Sequence, residues 1–134
     1  MDRRRKIISV DFDGVIHSYT SGWKGAVEIP DPPVEGALAW ISLALAKFDV
    51  CVFSSRSGQE GGVGAMVDWF TRNGWRQPMT VGGQWPTKGI LHFPNIKPAA
   101  HVSIDDRGIT FTGVWPDLDE LDAFETWNRV GVSD

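Results

Sequence analysis

A single cysteine, Cys51, occurs in the 134 residues. An internal disulfide, a thiolate cluster and a zinc ribbon are therefore excluded, and a reducing compartment is the expected setting. No stretch of about 18 apolar residues is present and no secretory leader is recognisable, so the expectation is a cytoplasmic protein without a membrane span. Cationic residues are also few: 13 Lys and Arg face 17 Asp and Glu, for a net charge of -4. That balance argues against stable nucleic-acid binding through bulk electrostatics. The one basic run, Arg3-Arg4-Arg5-Lys6, reads as a solvated lead-in. Repeats and low-complexity tracts are missing, and the length suits one domain (1–134) with no room for a separate substrate-covering domain.

What is present begins at residues 7–16, Ile-Ile-Ser-Val-Asp-Phe-Asp-Gly-Val-Ile. A short β-branched run predicts a buried strand, and residues i and i+2 of an extended chain point the same way. Asp11 and Asp13 thus converge just past its carboxyl end, where open α/β sheets bind ligands. Adjacent carboxylates repel, and either a raised pKa on one of them or a bound cation relieves the repulsion, a hard divalent cation with oxygen ligands fitting this group best.

Residues 18–29 are rich in Gly, Ser, Thr and aromatics and predict a loop or small hairpin over that site. Asp31 with Pro32 resembles the start of a helix, and Val34, Leu38, Ile41, Leu45 and Phe48 follow at helical spacing. Asp49 to Phe53 predicts a second strand that stops at Ser54-Ser55-Arg56-Ser57-Gly58. Val63, Met66, Val67 and Phe70 give a second helix with Gly74 as its stop. Ile90 to Phe93, His101 to Ile104 and Ile109 to Thr112 are further strand candidates. Asp117 with Glu120 opens a last helix carrying Leu118, Leu121, Phe124 and Trp127. Alternating strands and helices predict a mostly parallel, doubly wound α/β sheet. Most of the seven tryptophans are expected in the core.

Asp11, Asp13, Ser54, Lys97 and the pair Asp105-Asp106 should meet at one sheet edge. In that order they resemble the four motifs of the haloacid dehalogenase-like (HAD) hydrolase superfamily. Asp11-Phe12-Asp13-Gly14-Val15 matches the first, the strand ending in Ser54 the second, Lys97-Pro98 the third and Val102-Ser103-Ile104-Asp105-Asp106 the fourth. The stretches around Asp11 to Trp23 and Lys97 to Gly113 are similar to small, capless members from bacteria and phages. The resemblance implies a Rossmann-like three-layer core without a cap, a flap at about 18–29, and a Mg²⁺-dependent phosphomonoesterase or phosphotransferase.

By that resemblance Asp11 is the nucleophile that forms an aspartyl-phosphate, and Asp13 is the general acid and base. Mg²⁺ is held by Asp11, the main-chain carbonyl of Asp13, and Asp105, with Asp106 in support. Ser54 and Lys97 contact the transferring phosphoryl group. Gly14, Ser55, Arg56, Trp23 and Arg107 are substrate-contact candidates. Tyr19 and His17 share the flap region with Trp23, and for His17 a structural hydrogen-bonding role is favoured. A phosphorylated metabolite, a nucleotide or a nucleic-acid end all suit an open site.

One stretch departs from the pattern. Only residues 98–100 separate Lys97 from His101, whereas a parallel crossover normally takes a dozen or more residues. Either Ile90 to Phe93 is an irregular edge strand or the third strand lies near Met79 to Val81, and in the latter case Lys88 becomes the alternative lysine. A receiver-like phosphoacceptor domain is the competing function, although its acidic pair and its phosphorylated Asp come in the opposite order. A catalytically silent phosphate-binding module is the third.

Overall fold

Along the first strand, β1 (Ile7–Val10), Ile8 and Val10 point to one face of the sheet and Ser9 to the other. Phe12 continues the apolar set and Asp11 the polar one. The computed structural model describes residues 5–83 and 87–127. In it β1 joins β2 (Asp49–Val52), β3 (Met79–Val81), β4 (Leu91–Phe93) and β5 (Val102–Ile104) in a five-stranded sheet of order β3-β4-β2-β1-β5. Every pairing is parallel. The expected parallel α/β sheet is thus present.

Two helices cover one face. α1 (Ala37–Leu45) buries Ile41, Ala44 and Leu45, and α2 (Gly62–Arg72) buries Met66, Trp69 and Phe70. They meet Ile8, Val10, Phe12, Val50, Val52, Leu91 and Phe93 in a single apolar cluster. Phe70 lies edge-on to Trp69, Trp75 and Phe93, with ring centres 5.4 to 5.6 Å apart. Such aromatic pairs add about 0.5–1.5 kcal/mol each beyond the area they bury. α2 ends before Gly74, whose φ of 97° allows the left-handed turn expected there.

The opposite face differs. Across β5, β1, β2 and β4 the register aligns Ser103, Ser9, Cys51 and His92, a polar row where buried parallel strands usually carry Val and Ile. Residues 94–101 pass from β4 to β5 without a helix. The short third helix, α3 (Leu118–Asp122), buries none of its residues. The third layer of the expected architecture is therefore missing among the described residues, because the connection that would carry it is too short.

Other expectations also change. Met79–Val81 and Leu91–Phe93 are both strands, with β3 at the edge and β4 between it and β2, so the two candidates for the third strand were not alternatives. Asp31 does not cap α1. Its carboxylate accepts hydrogen bonds from the Ser21 amide and hydroxyl. The Val34 amide donates to Ile16 O at 2.7 Å, holding this stretch extended, and α1 begins only after Gly36.

Residues 109–112 form no strand and do not pair with the open outer edge of β5. α3 stops before Phe124 and Trp127. Trp69 and Trp75 are buried, but Trp23, Trp40, Trp115 and Trp127 are exposed, and Trp85 lies outside the described residues, as do Arg3 and Arg4 of the basic run. Arg5 is not merely solvated. It pairs with Asp49 at 3.0 Å and donates to the carbonyls of Leu45 and Phe48, fastening the lead-in to the turn between α1 and β2. No helix among the described residues is long and apolar enough to cross a membrane.

Candidate active site

β1 and β5 are neighbours, and the Asp11 amide extends their ladder by donating to Ile104 O at 2.9 Å. The carboxyl ends of both strands are thereby held level, which places Asp105-Asp106 beside Asp11. One oxygen from each of Asp11, Asp105 and Asp106 lies within 4.8 Å of the others. Burial pushes the Asp11 carboxyl up to about 7 against one lowering hydrogen bond from the Phe12 amide, and the charges of Asp105, Asp106 and Asp13 raise it further. Asp106 is also raised, first by burial. Its Oδ1 is buried with no hydrogen-bond partner among the described residues.

Gly14 permits this approach. Its φ of 82° lies in the left-handed region, and a Cβ at this position would collide with Asp106 Oδ2. Gly14 was expected to touch substrate. It is instead buried, donates its amide to His17 O at 2.8 Å and accepts the Trp127 indole N–H at 2.8 Å.

Asp13 faces a different set of partners. His17 is fully buried, and its Nε2 accepts the Asp31 amide at 3.1 Å. The ring proton therefore resides on Nδ1, which donates to Asp13 Oδ1 at 2.9 Å. The structural role favoured for His17 matches this geometry. Arg56, also fully buried, donates through Nε and Nη2 to the Asp13 carboxylate at 3.0 to 3.2 Å.

Its Nη1 reaches the carbonyls of Gly25, Ala26 and Glu28 at 2.8 to 3.2 Å. The guanidinium also lies 4.7 Å from the centre of the Trp23 ring. Arg56 is thus a latch between Asp13 and the 18–29 loop rather than the substrate contact expected, because its donors are directed inward. Burial raises the Asp13 carboxyl, but the His17 and Arg56 hydrogen bonds and the Arg56 charge outweigh it and hold the group below the ordinary range.

Asp11, Asp13, Ser54, Ser55, Lys97, Asp105, Arg107, Tyr19 and Trp23 line one cavity of about 370 Å³. The sequence-derived set is therefore brought together except for Gly14 and Arg56, with Asp106 behind the wall. Lys97 follows the carboxyl end of β4, whereas Lys88 precedes the strand and sits at the amino end of the sheet. Lys97 lines the cavity and Lys88 does not. Ser54 Oγ accepts the Arg56 amide at 3.0 Å and leans toward Met66 Sδ at 3.7 Å, so it also shapes the turn. Asp13 lies outside the three-carboxylate group, and its carboxylate oxygens are held by His17 and Arg56.

Ser9, Phe53, Ser103 and Ile104 complete the lining and had not been singled out. The available signal was spacing: Ser9 and Ser103 each stand two residues before a site aspartate. No family model matches the chain, and no curated protein or solved structure shows significant similarity to it.

Proposed function

We propose that this protein is a divalent-cation-dependent phosphomonoester hydrolase of the HAD type. The observation that carries the reading is the convergence of Asp11, Asp105 and Asp106 from two adjacent strand ends, with Asp11 and Asp105 lining one cavity with Lys97 and with an Asp13 held by His17 and Arg56. An all-carboxylate donor set with one orphaned buried oxygen fits a hard cation such as Mg²⁺. When bound, that ion neutralises the carboxylates and the phosphoryl oxygens. Asp11, Asp105 and Asp106 would hold it.

Asp11 attacks phosphorus in line: an Asp11 O–P bond forms and the ester P–O bond breaks, with Asp13 relaying a proton from solvent to the alkoxide, which leaves as an alcohol. Water then attacks the aspartyl-phosphate, delivers its proton to Asp13, and inorganic phosphate departs while Asp11 is regenerated. Lys97 offsets charge on the transferring group. With His17 and Arg56 in place Asp13 is an anion, the form that accepts the proton from water.

Release of phosphate from 4-nitrophenyl phosphate in Mg²⁺ tests the reading. Turnover should vanish with EDTA, return with Mg²⁺, and be lost in Asp11→Asn while the circular dichroism spectrum is kept. Full activity in EDTA, or in Asp11→Asn, overturns it.

A further inference from the structure

The strand order leaves the outer side of β5 without a neighbour, and all three of its residues are exposed. An open edge offers unpaired amide and carbonyl groups to a second strand, and proteins usually blunt it with charge or proline. Val102-Ser103-Ile104 carries neither. A few residues on, Ile109 to Thr112 has the β-branched and aromatic make-up of a strand, yet it forms no bridge among the described residues. Asp105 Oδ1 accepts the Arg107 amide at 2.7 Å, and beyond this turn the chain leaves its own edge unpaired.

Exposed apolar surface gathers in the same region. Of sixteen large hydrophobic side chains exposed among the described residues, ten fall within residues 102–127, at 38 to 82 %. Large apolar side chains present roughly 100–250 Å² each when free, so these ten leave on the order of 1,000 Å² in contact with water. The largest apolar patch of an ordinary monomer is about 300–600 Å², whereas a stable pair of proteins needs about 800 Å² from each partner. The centre of the surface is uncharged: residues 108–116 contain no acid and no base, and Phe111 packs on Trp115 with ring centres 4.9 Å apart. Acids flank it, Asp105-Asp106 before and Asp117, Asp119 and Glu120 after. An aromatic, charge-depleted centre within a charged rim is the composition of a protein interface. A lipid surface or a nucleic acid is disfavoured, since Arg107 is the one base against seven acids in residues 102–127.

We propose that a second copy of this chain seats on this face, the Ile109 to Thr112 segment of each copy adding to the open β5 edge of the other. A second copy is the occupant that brings both missing halves at once: an unpaired strand for an unpaired edge, and a second aromatic patch for the first. The exchange is reciprocal, so the contact closes at two chains. The strand that delivers Asp105 and Asp106 thereby gains a second neighbour. The dimer is independent of the phosphohydrolase reading and stands if that reading fails.

Sedimentation equilibrium from about 1 to 100 µM, which covers the weak end for an interface of this size, tests the dimer. Wild type should reach twice the chain mass. Phe111→Glu and Trp115→Glu should each raise the dissociation constant at least about tenfold, while Leu43→Glu, an exposed apolar position on α1, should leave it unchanged. All three positions are exposed, so circular dichroism should match wild type. Added sodium chloride should strengthen the dimer, because the rims that meet are both acidic. Amide exchange in residues 102–104 and 109–112 should slow as protein concentration rises.

A wild-type chain that stays monomeric at about 100 µM overturns the proposal and leaves the face to a partner of other sequence. A dimer dissociated by Leu43→Glu but not by Trp115→Glu overturns it too, as does one that forms with exchange unchanged in both segments. A mass that keeps growing past two chains contradicts the reciprocal contact.

Discussion

At the scale of single residues the site sets two carboxylates against each other. Asp11 is raised to about 7, mainly by burial, whereas Asp13 is lowered because the bonds from His17 and Arg56 outweigh its own burial. The consequences for stability have opposite signs. A carboxyl raised in the folded state contributes stability below its unfolded value near 4, and this is lost as pH climbs through about 7. Asp13 contributes above its unfolded value and loses that contribution on acidification. Metal-free Asp11→Asn should therefore be more stable than wild type at pH 8, by roughly 1–3 kcal/mol, with the gap closing toward pH 5. Urea unfolding at both pH values in EDTA checks this, and a gap that widens toward pH 5 contradicts the assignment.

Arg56 follows the same logic. Removing a buried cation strands the carboxylate it faced, so Arg56→Met should cost on the order of 3–5 kcal/mol, and adding Asp13→Asn should recover part of that. A double variant no more stable than Arg56→Met argues that the flap carbonyls, not Asp13, are the main partners.

At the scale of elements, α2 approaches the loop after β2 closely enough that its first residue must be glycine. A Cβ on Gly62 would collide with the Arg56 carbonyl, although no special φ is required there. Gly62→Ala should cost about 1–3 kcal/mol through overpacking, and the displaced loop should loosen the Arg56 bonds to Gly25, Ala26 and Glu28. Faster proteolysis between residues 18 and 29 in this variant is the expected signature. Unchanged cleavage there, alongside lost stability, would separate helix packing from the latch.

This level also shows what sequence conveys. β1 and β2 were legible because β-branched runs ending in polar residues have few other solutions. The positions of Asp11, Ser54 and Asp105 followed from strand ends, whereas Lys97 came from the motif resemblance with Lys88 as its alternative. The latch was not legible: Arg56 meets Asp13 across 43 residues of chain, and nothing local distinguishes a buried arginine from an exposed one. α1 was placed too early because Asp31-Pro32 mimics a helix start, while tertiary bonds to Ser21 and Ile16 hold the segment extended. Ile109 to Thr112 has strand propensity but stays off the open edge of β5, so propensity alone does not make a strand.

For the molecule as a whole, the core is one-sided. Every residue of β2 after Asp49 is buried, as are all of β4, yet β5 has none. The site nevertheless depends on β5, since Asp105 and Asp106 arrive on it. Exposed Val114, Trp115 and Leu118, at 75–82 %, show that the chain beyond β5 gains little from the core. Local stability follows burial and contact density, so amide exchange should be slowest in β2 and β4 and much faster in residues 102–127. A cation binding between Asp11 on β1 and the Asp105-Asp106 pair would join the weakly held strand to the well-held one. Ligand binding to the folded form stabilises it by mass action, and here the gain should concentrate at the junction. Hydrogen exchange read by mass spectrometry should show Mg²⁺ slowing residues 102–107 severalfold while residues 49–52 stay unchanged, and Asp105→Asn should remove most of that protection. Uniform slowing across the chain would place the ion elsewhere, and no slowing in Mg²⁺ would leave the three carboxylates without the partner their geometry calls for.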